Sequence, residues 1–228
     1  MDRLTVFGIS VMSCEAASAL SAADAVCFDV DSTVIREEGI DELSRYLGKG
    51  GEVAKLTKEA MKGSMSFQEA LTKRLDIIRP SQQNISDFIK DHPSTLTPGI
   101  KNLIASLHRK RIPVYLVSGG FRSLIEPVAK ELGIPYENIF ANRIIFYYNG
   151  DYAGFDATQP TSRSGGKGQV LALLRQQKGY RHIAMIGDGA TDLEAQADTF
   201  IGFGGNIVRE EVKSKAQYYI TDFQELQL

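Results

Sequence analysis

Hydrophobic residues follow two patterns along the chain, one typical of buried strands and the other typical of amphipathic helices. Short continuous apolar runs bounded by polar or turn residues predict buried β-strands. These runs lie at residues 25–30, 113–118, 138–141, 183–186 and 200–203. Between them, apolar residues three and four positions apart predict helices, as in the stretch from Ile100 to Leu107. Strands that alternate with helices indicate an α/β fold in which helices cover both faces of a parallel sheet.

A long helical stretch interrupts this alternation directly after the first predicted strand. Its apolar residues keep a helical spacing throughout, and none of its runs predicts a strand. Ser81 is placed as an N-cap there, because its side-chain oxygen can accept a bond from a free N–H of the first turn. We therefore predict an α/β core formed by residues 22–35 and 94–228, with residues 36–93 inserted as a helical domain.

Two further segments carry weaker signals. Asp2 and Glu15 surround the apolar run near the N-terminus and disfavour a secretory leader. We expect residues 1–21 to form an extension, or a short helix that begins after Ser13. Asn149-Gly150 separates two apolar runs and predicts a β-hairpin, because this dipeptide readily adopts the positive φ angles of a tight turn.

The composition is that of an ordinary globular protein without a strong charge. The chain has 26 basic and 28 acidic side chains, and its formal net charge is −2. This balance gives no long-range attraction for nucleic acid or for an anionic membrane surface. No apolar stretch approaches the roughly 20 residues that a membrane span needs, and two cysteines do not form a disulfide framework. We therefore expect neither nucleic acid nor membrane as a partner, and we favour a cytosolic location.

Polar segments that could carry chemistry occur just beyond predicted strands. In open α/β sheets ligands bind at this edge, because the carboxyl ends of parallel strands meet there. The segments are Asp29-Val30-Asp31, Ser118-Gly119-Gly120, Gly165-Gly166-Lys167-Gly168 and Gly187-Asp188-Gly189-Ala190-Thr191-Asp192. Their convergence would gather carboxylates, a hydroxyl, glycine N–H groups and a lysine around one site.

Each segment also has an ordinary structural explanation when it is taken alone. Asp29 and Asp31 share one face of a strand and repel each other unless a cation or a proton compensates. The same two aspartates could also simply form an acidic turn that ends the strand. Residues 118–120 could bind an anion or form a plain loop. Lys167 could bind a phosphoryl oxygen or be solvated, and its segment lacks the P-loop spacing. Asp192 suits a helix cap as well as a position near a metal.

The order of these segments resembles the haloacid dehalogenase (HAD) superfamily, whose members carry an aspartate pair, a serine, a lysine and a second aspartate pair. Residues 28–34, 117–122 and 187–192 are most similar to the branch of the superfamily that hydrolyses phosphoserine. The resemblance extends from about residue 22 to residue 223. It implies a Rossmann-like parallel sheet with a helical-bundle cap inserted after the first strand.

The resemblance also implies roles for the residues of the site. Asp29 would be the nucleophile that accepts the phosphoryl group, and Asp31 would be the general acid and base. Mg²⁺ would be held by the carboxylates of Asp29 and Asp188 and by the backbone carbonyl of Asp31. Thr191 and Asp192 would lie in the outer shell of the metal.

The same resemblance assigns the substrate contacts. Glu38 would bind the substrate ammonium and Arg74 its carboxylate, which is a chemically complementary pair for a zwitterion. Met61 would line the pocket, although the sequence departs from the family pattern beside it, where Lys62 precedes a glycine. The phosphate would be bound, and its transfer assisted, by Ser118, Gly119, Gly120 and Lys167, with Arg209 as a further cation near the phosphate or the carboxylate.

The implied function is hydrolysis of O-phospho-L-serine to serine and phosphate, the last step of serine biosynthesis, by an enzyme that is compatible with a homodimer. Two alternatives stay open. One is a HAD phosphatase or phosphotransferase that acts on another small phosphomonoester. The other is a receiver-like phosphorylation switch, which is disfavoured because the aspartates are split across both ends of the chain and a helical insertion follows the first strand.

Overall fold

The fold, seen in a computed structural model that describes residues 11–60 and 65–227, is built on a parallel β-sheet. The described part of the chain contains the strands β1 (Ala25–Phe28), β2 (Val114–Phe121), β3 (Ile139–Asn142), β4 (Ile144–Phe146), β5 (Tyr152–Phe155), β6 (Ile183–Gly187), β7 (Thr199–Phe203) and β8 (Tyr218–Ile220). Six of them form one sheet in the order β3-β2-β1-β6-β7-β8, and every pair in it is parallel. The α/β fold with a Rossmann-like parallel sheet is thereby confirmed.

Helices lie between the strands and on both faces of the sheet. The described part of the chain contains α1 (Val11–Ser21), α2 (Gly39–Tyr46), α3 (Gly50–Ala60), α4 (Phe67–Ile78), α5 (Gln82–Asp91), α6 (Ile100–Arg109), α7 (Arg122–Glu131), α8 (Gly166–Lys178), α9 (Ala190–Leu193) and α10 (Glu210–Lys215). Every residue of β1 and of β6 is buried, because helices cover both of their faces. Alternate residues of one strand enter different cores: Phe28 packs into one cluster and Cys27 into the other.

The N-terminal segment differs from the expected extension. Helix α1 begins at Val11, and its Ala16 and Leu20 are completely buried in the same cluster as the sheet residue Phe28. The hydroxyl of Ser13 donates to the carboxylate of Glu225 at 2.9 Å near the other end of the chain. Residues 11–21 are therefore part of the α/β core, because the short side chains on this helix allow it to approach the sheet closely.

Helices α2 to α5 form the insertion between β1 and β2. They surround a hydrophobic cluster of their own, which contains Leu43, Val53, Ile78, Ile85 and Phe88. Two of the helices begin with a complete capping box, and the Ser81 hydroxyl accepts from the third N–H of α5, as the sequence predicted. These caps define where the helices start, so the insertion has fixed helix boundaries as well as a core.

Two linkers join the insertion to the sheet, and they pair with each other. Ile35 forms an antiparallel bridge with Leu96. The N–H of Arg36 donates to the carbonyl of Thr95 at 3.0 Å, and the N–H of Thr97 donates to the carbonyl of Val34 at 2.9 Å. The helical insertion thus leaves and rejoins the core through one short two-stranded connection beside the carboxyl end of β1.

The predicted hairpin at Asn149-Gly150 is confirmed, and it touches the insertion. Strands β4 and β5 are antiparallel, and Gly150 has φ of 87° in the turn between them. The carbonyl of Gly150 accepts from the N–H of Gln82, the first residue of α5, at 2.8 Å. Arg79 lies over the ring of Tyr152 at 5.5 Å from its centroid. The hairpin therefore gives the insertion a second set of contacts with the core, in addition to its linkers.

One strand of the sheet has no counterpart among the predicted elements. Strand β8 has only three residues, and a run this short does not predict a strand. Of the three, only Ile220 is buried. It pairs with β7 at the edge of the sheet. Among residues 11–60 and 65–227, no helix combines the length and the hydropathy that crossing a lipid bilayer requires.

Candidate active site

The carboxyl ends of three neighbouring strands bring the predicted polar segments together. Strand β1 lies between β2 and β6, and Phe28 pairs with Leu116 on one side and Ile186 on the other. The residues that follow these partners therefore reach the same edge of the sheet. Asp29 comes directly after β1, and Asp188 comes directly after β6.

Asp29 and Lys167 form a largely buried ion pair at this edge. Lys167 lies in the first turn of α8, and its Nζ is 2.9 Å from Oδ1 of Asp29 and 2.5 Å from Oδ1 of Asp192. Burial alone would lower the pKa of Lys167, but the two carboxylates more than offset it, so the pKa lies above its usual value. Lys167 is therefore positively charged at neutral pH and close to the carboxylate that was predicted as nucleophile.

Three carboxylates form a cluster that could hold a cation. One oxygen each from Asp29, Asp188 and Asp192 lies within 4.8 Å of the others. Carboxylate oxygens are the ligands that Mg²⁺ prefers. Asp192 approaches the cluster closely because residue 187 is glycine: a Cβ atom there would lie 2.3 Å from the Asp192 carboxylate. Asp192 also accepts from the N–H of Gly189 at 2.9 Å, so it caps α9 while it contacts the lysine.

The side chain of Asp31 turns away from this cluster towards the helical insertion. Its Oδ1 accepts from the N–H of Gly39 at 2.8 Å, and its Oδ2 lies 3.5 Å from the hydroxyl of Ser118. Desolvation raises the pKa of Asp31 to about 8, and the carboxylates of Glu38 and Asp29 act in the same direction. Asp31 can therefore carry a proton at neutral pH, unlike an ordinary aspartate.

Ser118, Gly119 and Gly120 provide small groups beside Asp31. The N–H of Gly120 donates to the Ser118 hydroxyl at 2.9 Å. A Cβ atom at Gly120 would lie 2.7 Å from Oδ2 of Asp31, so the close approach of this segment requires glycine. A Cβ atom at Gly119 would lie 3.0 Å from the ring of Phe67 on α4. The insertion therefore covers this segment directly.

Arg209 connects a residue of the carboxylate cluster with a residue of the linker. Its Nε donates to Oδ2 of Asp188 at 2.8 Å, and its Nη2 lies 3.4 Å from Oε1 of Glu38. The hydroxyl of Ser32 donates to the same oxygen of Glu38 at 2.7 Å, and the hydroxyl of Thr33 donates to Asp188 at 3.0 Å. Glu38 and Asp188 therefore share one guanidinium and receive hydroxyl donors from adjacent residues of one turn.

Arg74 faces the same space from α4. Its Nε is buried and has no hydrogen-bond partner among the described residues. Burial lowers the pKa of Arg74, and the carboxylates of Asp41 and Glu38 act against that change. A buried N–H group without an acceptor is costly, and an anionic acceptor satisfies a guanidinium N–H best. Arg74 can therefore receive a carboxylate from a bound molecule.

These residues line one cavity of about 650 Å³ between the helical insertion and the strand ends. Residues predicted for the site that line it are Asp29, Asp31, Glu38, Arg74, Gly119, Gly120, Lys167, Asp188, Thr191 and Arg209. Ser118 and Asp192 lie behind the lining, where they bond to Gly120 and Lys167. Met61 and the neighbouring Lys62 lie outside the described residues.

The cavity also contains residues that the sequence did not single out. They are Ile40, Thr57, Leu71, Thr161, Arg163, Glu210 and Glu211. Arg163 is the only cation among them, and no motif around it distinguishes it from a surface arginine. Thr33 lies inside a motif that the sequence did single out, so its hydroxyl could have been considered as a partner of Asp188. The other contacts depend on how loops fold back on the site.

Comparison with known proteins identifies the family of this chain. A family model described as haloacid dehalogenase-like hydrolase matches residues 23–198. The chain therefore belongs to the haloacid dehalogenase-like hydrolases. Within them it is a member of the phosphoserine phosphatase family, as its relatives show.

The relatives are similar over most of their length. Phosphoserine phosphatase of Homo sapiens is 56% identical over 207 residues, which are 90% of this chain and 92% of the human protein. Phosphoserine phosphatase of Drosophila melanogaster is 58% identical over 214 residues, which are 92% of this chain and 79% of that protein. A solved structure described as a phospho-aspartyl intermediate analogue of phosphoserine phosphatase has a TM-score of 0.75 and 31% identity, and covers 89% of this chain and 96% of that one.

Proposed function

We propose that the chain hydrolyses O-phospho-L-serine to L-serine and inorganic phosphate through an aspartyl-phosphate on Asp29. One observation carries the proposal: a single cavity is lined by the carboxylate of Glu38, by Arg74 with its unsatisfied Nε–H, and by the Asp29–Lys167 pair. Phosphoserine has the matching groups, namely an ammonium, a carboxylate and a phosphate. The similarity to phosphoserine phosphatases over about nine tenths of the chain supports the same conclusion.

In the first half-reaction, a carboxylate oxygen of Asp29 attacks phosphorus while the bond from phosphorus to the serine oxygen breaks. Lys167, next to Asp29, stabilises the charge on the transferring group, together with the hydroxyl and N–H groups of residues 118–120. Asp31 gives its proton to the serine oxygen as that oxygen leaves. Its raised pKa suits this role, because the group must be protonated before the reaction.

In the second half-reaction, water attacks the aspartyl-phosphate and releases phosphate from Asp29. Asp31, now a carboxylate, takes a proton from this water and returns to its protonated form. The side chain of Asp31 is free for both proton transfers because it bonds to the N–H of Gly39 and lies outside the carboxylate cluster. Asp192 keeps Lys167 in place throughout.

Mg²⁺ fits the donors at this edge of the sheet. We assign it to the carboxylates of Asp29 and Asp188 and the backbone carbonyl of Asp31, with Thr191 and Asp192 in its outer shell. When bound, Mg²⁺ offsets negative charge on the phosphoryl group and on the clustered carboxylates. The three carboxylate oxygens within 4.8 Å of one another support this assignment, because Lys167 and Arg209 supply only two positive charges for three carboxylates.

Substrate choice rests on the residues of the insertion and its linker. We assign the substrate ammonium to Glu38 and the substrate carboxylate to Arg74. Arg209 is assigned to the phosphate side, where it would leave Glu38 when the ammonium binds. The opposite charges of Glu38 and Arg74 at one cavity support recognition of a zwitterion.

A phosphate-release assay across small phosphomonoesters tests the proposal. We expect phosphoserine to be hydrolysed with a kcat/KM at least about tenfold above phosphoethanolamine, phosphoglycolate and 3-phosphoglycerate, since each lost contact with a charged group costs about 1–3 kcal/mol or more. EDTA should abolish release, and added Mg²⁺ should restore it. Equal rates on all four compounds would instead indicate a phosphatase without amino-acid specificity, and activity that survives EDTA would contradict the magnesium site.

Asp31→Asn should separate the two half-reactions. The variant cannot give a proton to serine, so we expect kcat with phosphoserine to fall by about 10²- to 10⁴-fold. p-Nitrophenolate leaves without a proton, so Asp29 should still be phosphorylated by p-nitrophenyl phosphate. Because the amide that replaces the Asp31 carboxylate cannot activate water, stopped-flow absorbance should show a burst of about one equivalent of nitrophenolate and then slow turnover. Steady release without a burst would contradict the role of Asp31 in the second step.

A further inference from the structure

Ser32, in the turn after β1, has a left-handed backbone with φ of 55° although it carries a side chain. This conformation is strained for a residue other than glycine and persists only where surrounding contacts hold it. Two contacts are local: the Ser32 N–H donates to the carbonyl of Glu37 at 3.1 Å, and its hydroxyl donates to Glu38 at 2.7 Å. The third comes from Asn206, whose Nδ2 donates to the Ser32 carbonyl at 3.0 Å across 174 positions of sequence.

The amide of Asn206 also contacts both linkers of the helical insertion. Its Nδ2 lies 2.7 Å from the hydroxyl oxygen of Thr97 and 3.4 Å from the carbonyl oxygen of Ile35. Ile35 belongs to the outgoing linker, and Thr97 follows the returning one. One side chain thus fixes the turn that contains Ser32 relative to the two segments on which the insertion is mounted.

We propose that Asn206 is a positioning residue that holds Ser32 in its left-handed conformation and thereby sets the Ser32 hydroxyl against Glu38. The inference rests on the proposed function, because Glu38 is there the group that binds the substrate ammonium. Without the Asn206 donor, Ser32 relaxes to a negative φ, its hydroxyl leaves Glu38, and the carboxylate loses a fixed orientation in the cavity.

Loss of the Asn206 contact should weaken binding of the substrate ammonium and leave the phosphate end of the site intact. Glu38 loses a hydrogen bond that orients it, whereas Asp29 and Lys167 keep their direct contact. Thr33, the residue after Ser32, donates to Asp188, but Asp188 also retains its bond from Arg209. Asn206 should therefore matter more for a substrate with an ammonium group than for a simple aryl phosphate.

Asn206→Ala tests this selectivity. We expect kcat/KM for phosphoserine to fall about ten- to thirtyfold, mainly through KM, and kcat/KM for p-nitrophenyl phosphate to change about threefold or less. Thr97→Val is the matched control, since it removes the other strong partner of the amide and leaves the bond to Ser32. It should keep the ratio of the two substrates. Equal losses on both substrates in Asn206→Ala, or the same change of ratio in Thr97→Val, would overturn the proposal.

A double-mutant cycle with Ser32→Gly tests whether Asn206 acts through the contact between Ser32 and Glu38. Glycine adopts φ of 55° without strain but has no hydroxyl for Glu38. Asn206→Ala should therefore add about twofold or less to the loss already caused by Ser32→Gly, because both changes act on the same contact. Losses that multiply in the double variant would mean that Asn206 acts elsewhere, and they would overturn the proposal.

Hydrogen exchange separates this inference from the proposed function. Amides of residues 30–38 should exchange faster in Asn206→Ala than in the wild type, whatever the substrate is. Unchanged exchange would refute the role of Asn206, whereas a wild type without preference for phosphoserine would refute the proposed function alone. Asn206→Leu, which keeps most of the side-chain volume without a donor or a charge, serves for the same measurements if the alanine variant does not fold.

Discussion

Asp29→Asn is expected to abolish phosphate release from every phosphomonoester, with kcat at least about 10⁴-fold lower than in the wild type. The amide has nearly the same shape as the carboxylate, so it can still accept from the N–H of Val30, which lies 2.7 Å from Oδ1. It cannot form the aspartyl-phosphate. The measurement is single-turnover and steady-state phosphate release, with phosphoserine and with p-nitrophenyl phosphate.

The stability of this variant provides the control for its fold. In the absence of Mg²⁺, Asp29 lies near two other carboxylates but also pairs with Lys167, so neutralising it removes repulsion and one ion-pair contact together. Because Lys167 keeps its contact with Asp192, we expect a metal-free Tm within about 5 °C of the wild-type value. Asp151→Asn makes the same chemical change in the exposed hairpin and should leave kcat unchanged. A kcat in Asp29→Asn above about one hundredth of the wild-type value, with deamidation excluded by mass spectrometry, would remove Asp29 as nucleophile.

Arg74→Ala is expected to lower kcat/KM for phosphoserine by about 30- to 5,000-fold, because truncating one partner of a desolvated charge pair costs about 2–5 kcal/mol. The same substitution should change kcat/KM for p-nitrophenyl phosphate about threefold or less, since this compound has no carboxylate. Steady-state kinetics on the two substrates gives the comparison.

Two matched comparisons make the test of Arg74 sharper. Phosphoethanolamine is phosphoserine without its carboxylate, so Arg74→Ala should nearly abolish the preference of the enzyme for phosphoserine over phosphoethanolamine. Arg74→Lys retains a positive charge but loses the planar fork of donors, and it should lie between the wild type and the alanine variant. If Arg74→Ala reduced activity equally on all three compounds, Arg74 would have a structural role instead.

The location of the site could be predicted from the sequence because it depends on strand ends. A residue that directly follows a buried parallel strand must lie at the carboxyl edge of the sheet, and this places Asp29 and Asp188. The glycines after Ser118 permit a close approach, and Gly120 makes one, since a Cβ atom there would lie 2.7 Å from Oδ2 of Asp31. These are local features, so a single sequence contains them.

Contacts made by returning loops could not be predicted in the same way. Arg209 reaches Asp188, and Asn206 reaches Ser32, only because the loop after β7 folds back over the first turn. No spacing rule relates residues 174 positions apart. The burial of α1 was missed because alanine and serine give a weak apolar pattern, so that the packing of this helix depends on the shape of the sheet beneath it.

The hairpin contact with α5 places few demands on side chains. It joins the N–H of Gln82 to the carbonyl of Gly150, both of which belong to the main chain. Any residue except proline can supply the donor, while the turn needs a residue that tolerates φ of 87°. Members of this family could therefore differ in most side chains at the tip of the hairpin, and in the surface beside the insertion, and still keep this main-chain hydrogen bond.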